Sequence, residues 1–415
     1  MATFPDWVRA FLGNKAEPAR PPAWAGSVTR WEEPISFEED HNQFALALYR
    51  ELHEIRRNVF FSPFSIRMAL AMTYAGARGD TASQMKRALC FGSSDQSVHS
   101  HFAGILHRFS APRNGTCDVS VANSLWAQDG APLLPEFVDL VARHYGSSLH
   151  TTDFRQPDVA LRTINRWIED ATRGRIVELL DSRALTDETR LVLANAVHFK
   201  GTWKLKFQRT DTRDEPFYLE GGGTVPVALM FQKRKFRYLQ EDGFQVVNLD
   251  FQGGDVSMIV LLPDKNDGLW NLETRISGPM LQECLPRMAE REVRLSLPRF
   301  KISWGIEDVR RNLQALGMPL PFDRLIADFS GINGQRPSAA DALFISAVVH
   351  KAMVEVNEEG AEAAAATIVR TALSGALPPP VVTFRADHPF LFAIRDTRID
   401  AILFLGRVAD PTMDS

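Results

Sequence analysis

The sequence predicts an α+β protein, because segments with helical periodicity come early in the chain and strand-like runs come late. Residues 36–56 place their apolar side chains at helical spacing. Residues 257–262 form a nearly continuous apolar run, which is typical of a central strand. Residues 343–356 and 390–408 supply further strands, and no internal repeat indicates a different architecture.

Local signals place the elements of the first half of the chain. Residues 58–61 form a short strand-like run. The Ser-Pro pair that follows has the chemistry of a helix start, so we expect a helix over residues 66–77. Further helical segments are expected at residues 164–168 and 176–180.

The second half of the chain is richer in strand signals. Residues 191–199 have the composition of a buried strand. Residues 214–217 and 225–230 lie on either side of three consecutive glycines, which predicts a hairpin. Residues 293–297 alternate between apolar and polar side chains, as a strand with one buried face does.

Composition excludes several functional classes. The 415 residues are 45% hydrophobic and 24% charged, which is typical of a soluble globular protein. A net charge of -4 argues against a nucleic-acid partner or an anionic membrane surface. No run of about 18 apolar residues is present, so we expect no membrane span.

The number and spacing of the three cysteines argue against a zinc site and against disulfide bonds. Cys90, Cys117 and Cys284 are odd in number and far apart, which fits neither a zinc site nor a disulfide framework. We therefore expect free thiols, no bound metal and no cofactor.

The N-terminal residues differ from the rest of the chain. Prolines at 18, 21 and 22 indicate a flexible extension over residues 1–34, and no later linker divides residues 35–415, which we interpret as a single domain. The first 22 residues lack an apolar core followed by a small-residue cleavage site. We therefore expect a cytoplasmic protein, with an extracellular location as the alternative.

Residues 361–374 have the side-chain pattern of a strand, although their alanine content alone favours a short helix. Side chains alternate faces along a strand, so one face can be buried while the other stays outside. One register is small or apolar throughout: Ala361, Ala363, Ala365, Thr367, Val369, Thr371 and Leu373. The other register carries both charges: Glu362, Ala364, Ala366, Ile368, Arg370, Ala372 and Ser374. Gly360 precedes them and suits a bend, since glycine accepts backbone angles closed to other residues.

From about residue 36 to residue 411 the chain resembles the serpin family in the order and spacing of its motifs. Residues 199–203, 316–318, 327–332 and 404–408 match successive motifs of that family. The resemblance assigns a gate, called the shutter, to Asn58, Ser62, Pro63, Ser65, Asn195 and His350. It assigns the breach, where a loop enters the main sheet, to Trp203, Arg299 and Glu358. It assigns the hinge to Glu358, Glu359, Gly360, Ala361, Glu362, Ala363, Ala364, Ala365, Ala366 and Thr367.

These polar residues also have simpler interpretations. Asn195 and His350 could be core polar groups that have found hydrogen-bond partners, as buried polar groups usually do. Arg299 and Glu358 could form a solvated ion pair of little energetic value. Trp203 could be an ordinary core residue.

The resemblance implies a serpin fold, in which helices pack around three β-sheets and a reactive-centre loop, here about residues 358–384, is exposed. It implies a monomer that acts as a single-use trap for a target serine protease. The family's usual spacing from Glu358 places the reactive bond between Ser374 and Gly375, with Leu373 and Arg370 as alternatives. A small residue after leucine suggests an elastase-like or subtilisin-like target, and cleavage after Leu373 would suit a chymotrypsin-like one.

Two other functions compete with this one. A non-inhibitory serpin, acting as a chaperone or carrier, is the first alternative, and an inhibitor of a cysteine or trypsin-like protease is the second. The small-residue register argues against a non-inhibitor, because such a protein does not need a loop that can insert. An enzyme is not expected, since no Gly-x-Ser-x-Gly elbow and no phosphate-binding glycine loop are present.

Overall fold

The computed structural model describes residues 37–52, 57–92, 94–110, 117–146, 149–181, 183–306, 308–360 and 381–413. The expected N-terminal extension therefore lies outside the described residues. The hinge from Ala361 to Thr367 and the candidate bond positions Arg370, Leu373, Ser374 and Gly375 also lie outside them.

The described residues form ten α-helices and fourteen strands. The helices are α1 (Phe37–Leu52), α2 (Pro63–Tyr74), α3 (Gly79–Ala88), α4 (Asp95–Ser110), α5 (Pro135–Tyr145), α6 (Pro157–Ala171), α7 (Leu269–Arg275), α8 (Gly278–Arg287), α9 (Arg310–Ala315) and α10 (Ser330–Asn333). The first strands are β1 (Val59–Phe61), β2 (Cys117–Gln128), β3 (Leu149–Thr152), β4 (Leu191–Gly201), β5 (Arg213–Tyr218), β6 (Thr224–Glu241) and β7 (Phe244–Asp250). The others are β8 (Val256–Pro263), β9 (Ala289–Pro298), β10 (Phe300–Ile306), β11 (Ile345–Val356), β12 (Val382–Arg385), β13 (Phe390–Asp396) and β14 (Ala401–Val408). The expected α+β class is confirmed.

Hydrogen bonding joins these strands into two sets. One set has the order β1-β14-β13-β8-β7-β6-β9-β12, with β5 also paired to β6. The 18-residue strand β6 connects two parts of this set, because it pairs with β5 and β9 along most of its length and with β7 only at its end. The second set has the order β10-β11-β4-β2-β3, so hydrogen bonding gives two sheets in the described residues, where three were expected.

The five-stranded sheet has a parallel pair at its centre. Strands β4 and β11 run parallel, whereas their outer neighbours β2 and β10 are antiparallel to them. Strand β4 is buried on both faces, since α2 contributes to the core on one face and α6 covers the other. A strand covered on both faces needs apolar residues at nearly every position, which explains why residues 191–199 are apolar except at Asn195 and His198.

The helix start and the hairpin form as the local sequence indicated. Ser62 caps α2 by accepting a hydrogen bond from the Ser65 N–H (3.1 Å), and Pro63 occupies the first turn. The β5–β6 hairpin closes through the three glycines at 221–223, whose φ angles are 101°, 96° and 89°. These values are readily accessible only to glycine.

The expected helix at residues 176–180 is wrong. Helix α6 ends at Ala171, and the Thr172 hydroxyl accepts a hydrogen bond from the Ile176 N–H (3.1 Å). Glu178 has a φ angle of 55°, which a helix cannot accommodate. Ile176, Leu179 and Leu180 are buried by packing in an irregular segment next to α6, so their helical spacing does not reflect a helix.

No helix in the described part of the chain is both long and apolar enough to cross a membrane.

Candidate functional site

The first candidate site is a buried polar cluster between the two central strands of the five-stranded sheet. His350 on β11 lies directly across from Asn195 on β4, and both side chains are fully buried. The Ser62 N–H donates to His350 Nε2 (3.1 Å), so this ring nitrogen must be the unprotonated one. His350 Nδ1 then carries the proton and donates it to Asn195 Oδ1. Burial lowers the pKa of His350 to about 3, which keeps the ring neutral.

The cluster extends from Asn195 to the start of α2 and to β2. Asn195 Nδ2 donates to Ser65 Oγ and to Asn123 Oδ1. Ser65 Oγ donates in turn to Asn123 Oδ1 (2.6 Å). Ser62 Oγ donates to the Leu403 carbonyl (2.8 Å) on β14. These neutral hydrogen bonds connect four elements at the point where β4 and β11 touch. We call the cluster of Ser62, Ser65, Asn123, Asn195 and His350 the gate cluster.

Most of the residues expected in the shutter lie in this cluster, but Asn58 does not. Asn58 Nδ2 donates to the carbonyls of Asp410 (2.7 Å) and Met413 (2.8 Å), and its Oδ1 accepts from the Ala409 N–H (2.7 Å). It therefore secures residues that follow β14 rather than joining β4 to β11. Pro63 makes its contribution through the backbone, as the first residue of α2.

Sequence reasoning missed Asn123. It lies opposite Asn195 in the β2–β4 register and is 6% exposed. An asparagine within a run of small and apolar residues on a strand was a usable signal, because a buried amide requires hydrogen-bond partners. Its partner could not be identified, since the two asparagines are 72 residues apart in sequence.

The second candidate site holds the end of β11, where Glu358 is buried at 2% exposure. Arg299 Nε donates to both carboxylate oxygens of Glu358 (2.9 and 2.8 Å), and Arg299 Nη2 also donates to it. Thr212 Oγ1 donates to the same carboxylate. Burial alone would raise the pKa of Glu358, but the hydrogen bonds from Arg299 and Thr212 hold it below its usual 4.5. The pair is therefore not fully solvated, although the Arg299 side chain is 44% exposed.

Trp203 fixes the backbone around this carboxylate. Its indole Nε1 donates to the Asn357 carbonyl (2.9 Å), and its backbone N–H donates to the Glu359 carbonyl (3.0 Å). The indole stacks on Phe251 with 4.4 Å between ring centroids. The Phe207 N–H donates to the Glu358 carbonyl (3.0 Å), so the backbone of three consecutive residues is held. Trp203 thus has specific polar contacts in addition to its place in the core.

Gly360 ends this segment in a tight reversal. Its φ angle is 88°, and an isolated antiparallel bridge pairs it with Asn357. A Cβ on Gly360 would lie 2.3 Å from the Gly201 carbonyl oxygen and 2.5 Å from the Trp203 nitrogen, both of which are backbone atoms. Only glycine can therefore occupy this position without displacing β4. We call Thr212, Trp203, Arg299, Glu358 and Gly360 the hinge anchor.

Neither site contains a metal-type cluster. In the residues that the structure describes, no group of three or more His, Cys, Asp or Glu side chains is placed to hold a metal ion. The gate cluster joins β4 to β11, and the hinge anchor holds the residues that follow these two strands, with Glu358 eight positions after His350. Any process that parts these two strands must break contacts at both.

A comparison with protein-family models decides the family. The model described as "Serpin (serine protease inhibitor)" matches residues 39–411. The chain belongs to the serpin family. The fold expected from the resemblance is thereby confirmed, and so is the expectation of a protease inhibitor rather than an enzyme.

Individual relatives agree with this assignment. This serpin is 40% identical over 379 residues to leukocyte elastase inhibitor A of Rattus norvegicus, covering 89% of this chain and 97% of the relative. It is 36% identical over 385 residues to antithrombin-III of Mus musculus, covering 90% of this chain and 81% of the relative. Among solved structures it resembles uncleaved ovalbumin, with a TM-score of 0.81, 33% identity, and coverage of 91% of this chain and 100% of that chain.

Proposed function

We propose that this serpin is a covalent suicide-substrate inhibitor of serine proteases, which traps its target by inserting the cleaved loop between β4 and β11. The observation that carries the proposal is the parallel β4–β11 pair, with the hinge anchor at its end. If residues after Gly360 continued the antiparallel bridge between Asn357 and Gly360, they would run antiparallel to β11. Because β4 is parallel to β11, the same residues would be antiparallel to β4 as well.

Sheet energetics favour this insertion. Inserting one strand replaces a single parallel pairing with two antiparallel pairings, and parallel pairing is slightly less stable per residue. The uncleaved protein would therefore persist only because the gate cluster and the hinge anchor present a kinetic barrier.

The bridge between Asn357 and Gly360 also supplies a register for insertion. Continuing that antiparallel register pairs Ala361 with Val356, Ala363 with Val354, Ala365 with Ala352, and Thr367 with His350. Residues directly opposite each other on neighbouring strands share a face. The four β11 residues in these pairs are all buried. The small register of the loop would therefore enter the core, with Thr367 beside the gate cluster.

The other register would face outward. On insertion, Glu362 would pair with Glu355, which is exposed, and Ala364 would pair with Met353, which is half-buried. The charge at Glu362 would then stay in water, as insertion requires. The alternation noted in the sequence agrees with the two faces of the sheet, which supports a loop suited to insertion.

The chemistry would begin as ordinary proteolysis. The serine hydroxyl of the protease attacks the Ser374 carbonyl, its proton passes through the general base of the protease to the Gly375 amine, and the peptide bond breaks. The product is an ester between Ser374 and the protease. Insertion of residues 361–374 would then extend over roughly 46 Å of strand, at about 3.3 Å per residue. The protease is carried along and distorted before water can hydrolyse the ester.

Two observations bear on the target. Ser374 is small and follows Leu373, which suits an elastase-like or subtilisin-like enzyme, and the rat relative is named a leukocyte elastase inhibitor. Cleavage after Leu373 would instead fit a chymotrypsin-like enzyme, and cleavage after Arg370 a trypsin-like one. Specificity is a difference between affinities at several subsites, so one residue does not decide it.

The test is incubation with elastase, subtilisin, chymotrypsin and trypsin, followed by denaturing gels and intact-mass analysis. We expect a complex that survives denaturation and a released peptide that begins at Gly375. Clean cleavage of the loop by every protease, with full protease activity remaining, would reject inhibition of these classes and favour a non-inhibitory serpin.

Matched substitutions test the insertion register. Ala363→Glu puts a carboxylate on the face that enters the core, so we expect this variant to be cleaved as a substrate without forming a complex. Ala364→Glu, one residue along, puts the same carboxylate on the outer face and should still trap. Equal trapping by both variants would contradict the proposed register.

A further inference from the structure

A cleft of about 360 Å³ lies where β4 and β11 end, on the face of the five-stranded sheet that α6 covers. Lys200 is on that face, because side chains alternate along β4 and Ala196 packs in the cluster that includes α6. Glu355 lies beside it, since each follows a residue of the last β4–β11 pair, Phe199 with Val354. The residues that line the cleft are Arg175, His198, Phe199, Lys200, Arg209, Glu355, Asn357 and Glu359. We call this set the charged cleft.

Opposite charges line opposite sides of the charged cleft. The cations belong to β4 and to the chain segments before and after it: Arg175, Lys200 and Arg209. The carboxylates belong to β11 and to the residues after it: Glu355 and Glu359. The cations outnumber the carboxylates, so the charged cleft has one positive charge in excess.

His198 forms a buried and neutral part of the wall of the charged cleft. It is 8% exposed, and Arg175 Nη1 donates to its Nδ1 (3.1 Å). Because arginine can only donate, Nδ1 is the unprotonated ring nitrogen and Nε2 carries the proton. The contact holds the guanidinium of Arg175 next to β4, so this cation is in position before a ligand binds.

An ion pair already crosses the charged cleft, but it is exposed to solvent. Arg209 Nη2 lies 3.2 Å from Glu359 Oε1, and the Arg209 side chain is 74% exposed. Exposed pairs of this kind contribute little to stability. A ligand that offers an opposite charge to each of the two partners can therefore replace this pair.

From this arrangement, we infer that the charged cleft binds a small molecule with two carboxylates and one ammonium group, which is an acidic amino acid such as glutamate or aspartate. The carboxylates of the ligand pair with the cations on the β4 side. The ammonium group pairs with Glu355 and Glu359 on the β11 side. The single net negative charge of such a ligand neutralises the excess positive charge of the cleft.

A ligand in the charged cleft opposes loop insertion, and this part of the inference rests on the proposed function. Inserting a strand between β4 and β11 moves them apart by one further strand spacing, roughly 4.8 Å. The two sides of the cleft then separate, so a ligand that contacts both sides binds only the uninserted form. If the ligand must leave before the strands part, insertion slows about tenfold at a ligand concentration ten times the Kd.

Isothermal titration calorimetry of the uncleaved protein with three ligands of similar size tests the assignment. Glutamate offers two carboxylates and an ammonium group, whereas glutarate lacks the ammonium group and glutamine lacks the side-chain carboxylate. At low salt, we expect glutamate to bind about fivefold more tightly than either of the other two.

Substitutions connect each charge of the ligand to one side of the charged cleft. Lys200→Met should lower the preference for glutamate over glutamine to about twofold and leave the preference over glutarate unchanged. Glu355→Gln should do the reverse. Arg166→Met and Glu169→Gln are the matched controls, because both residues are exposed on α6 outside the cleft, and they should leave both preferences unchanged. The two cleft substitutions are on different strands, so a folding defect in one, detected by thermal unfolding, leaves the other informative.

The coupling to insertion is measured with the protease that forms the most complex. At a glutamate concentration ten times its Kd, we expect a larger share of the protein to appear on denaturing gels as cleaved product rather than complex. The reason is that slower insertion gives water more time to release the protease. The same concentration of glutarate controls for ionic strength, and Lys200→Met should show a smaller change than wild type.

The outcomes distinguish the charged cleft from the proposed function. Equal affinity for the three ligands, or no binding of glutamate to the wild type, would overturn the site. Unchanged preferences in both cleft variants would place the ligand elsewhere and also overturn it. Selective binding with an unchanged share of complex would overturn the coupling to insertion. Selective binding in a protein that traps no protease would support the site and reject the proposed function.

Discussion

The gate cluster and the hinge anchor hold the same pair of strands together by different means. The gate cluster is fully buried and uses only neutral hydrogen bonds, with His350 kept unprotonated. The hinge anchor lies just beyond the ends of β4 and β11. It uses an ion pair in which Glu358 is buried but Arg299 remains 44% exposed. A charge in the middle of the sheet would carry a large desolvation cost, whereas water can solvate part of a charge at the strand ends.

Because the two sites use different interactions, the barrier to strand separation should respond to both acid and salt. The gate cluster should be insensitive to salt, because it contains no charge. It should be sensitive to moderate acid, because protonation of the neutral His350 ring would disrupt its hydrogen bonds. The hinge anchor should respond to salt, because the guanidinium of Arg299 is accessible to solvent ions. The following substitutions and titrations test that contrast.

Breaking the gate cluster should have the largest effect. Asn195→Ala removes the acceptor of His350 Nδ1 and leaves this buried donor unsatisfied, and it also removes the hydrogen bonds from Asn195 to Ser65 and Asn123. We expect the free energy of unfolding of the uncleaved protein to fall by about 3 kcal/mol, measured by urea denaturation. Asn312→Ala is the control, because Asn312 donates a single hydrogen bond to the Glu51 carbonyl (3.0 Å) in a half-buried site. Equal losses of unfolding free energy in the two variants would show that the gate cluster contributes no more to stability than a single half-buried hydrogen bond.

Acid should weaken the gate cluster before it affects the hinge anchor. The pKa of His350 is lowered from 6.5 to about 3, so below pH 6.5 the unfolded chain binds a proton that the folded protein does not. The stabilisation is complete above pH 6.5 and is lost at about 1.4 kcal/mol per pH unit as the pH falls, or about 2 kcal/mol at pH 5. Glu358 has a lowered pKa, so its contribution is lost only as the pH falls below about 4.5 and through the folded value.

Urea denaturation of wild type and His350→Gln at pH 7, 6 and 5 checks this prediction. His41 and His99 also have pKa values lowered by burial, so only the difference between the two proteins reports on residue 350. The wild type should lose about 2 kcal/mol more than the variant between pH 7 and pH 5. Parallel pH profiles would refute the assignment.

Breaking the ion pair of the hinge anchor should have a smaller effect. Arg299→Met leaves the Glu358 carboxylate with Thr212 as its side-chain donor, and we expect a loss of about 1.5 kcal/mol at low salt. The loss should shrink at 1 M salt, unlike that of Asn195→Ala. Arg287→Met removes a more exposed pair with Glu241 and should cost under about 1 kcal/mol. A salt-independent loss in Arg299→Met would show that packing, rather than charge, dominates here.

The smallest effect is expected at Thr212. Thr212→Val keeps the shape of the side chain but removes one hydrogen bond to a charged group, so the loss should be about 1 kcal/mol by thermal or urea unfolding. In the Arg299→Met background the same change should cost more, because Thr212 is then the remaining side-chain donor. Strict additivity of the two substitutions would argue against a shared carboxylate.

Local sequence patterns predicted several elements of secondary structure. The cap at Ser62, the buried strand at residues 191–199 and the glycine hairpin depend on neighbours close in sequence, and all three predictions are confirmed. The helix expected at residues 176–180 was wrong because that prediction rested on apolar spacing alone. Apolar spacing reports which side chains are buried, but an irregular segment packed on a helix can bury the same positions.

The family, the order of its motifs, the alternation of residues 361–374 and the glycine at position 360 were all predictable from the amino-acid sequence. The identity of the polar groups that contact one another depends instead on the folded arrangement of the strands. Asn195 is 155 residues from His350 and 72 from Asn123, and these contacts exist because strand pairing brings the three together. The burial of Glu358 and the donor at Thr212 likewise depend on how strands pack. Local sequence specifies the face and direction of each strand, whereas partners across strands are set by register and packing.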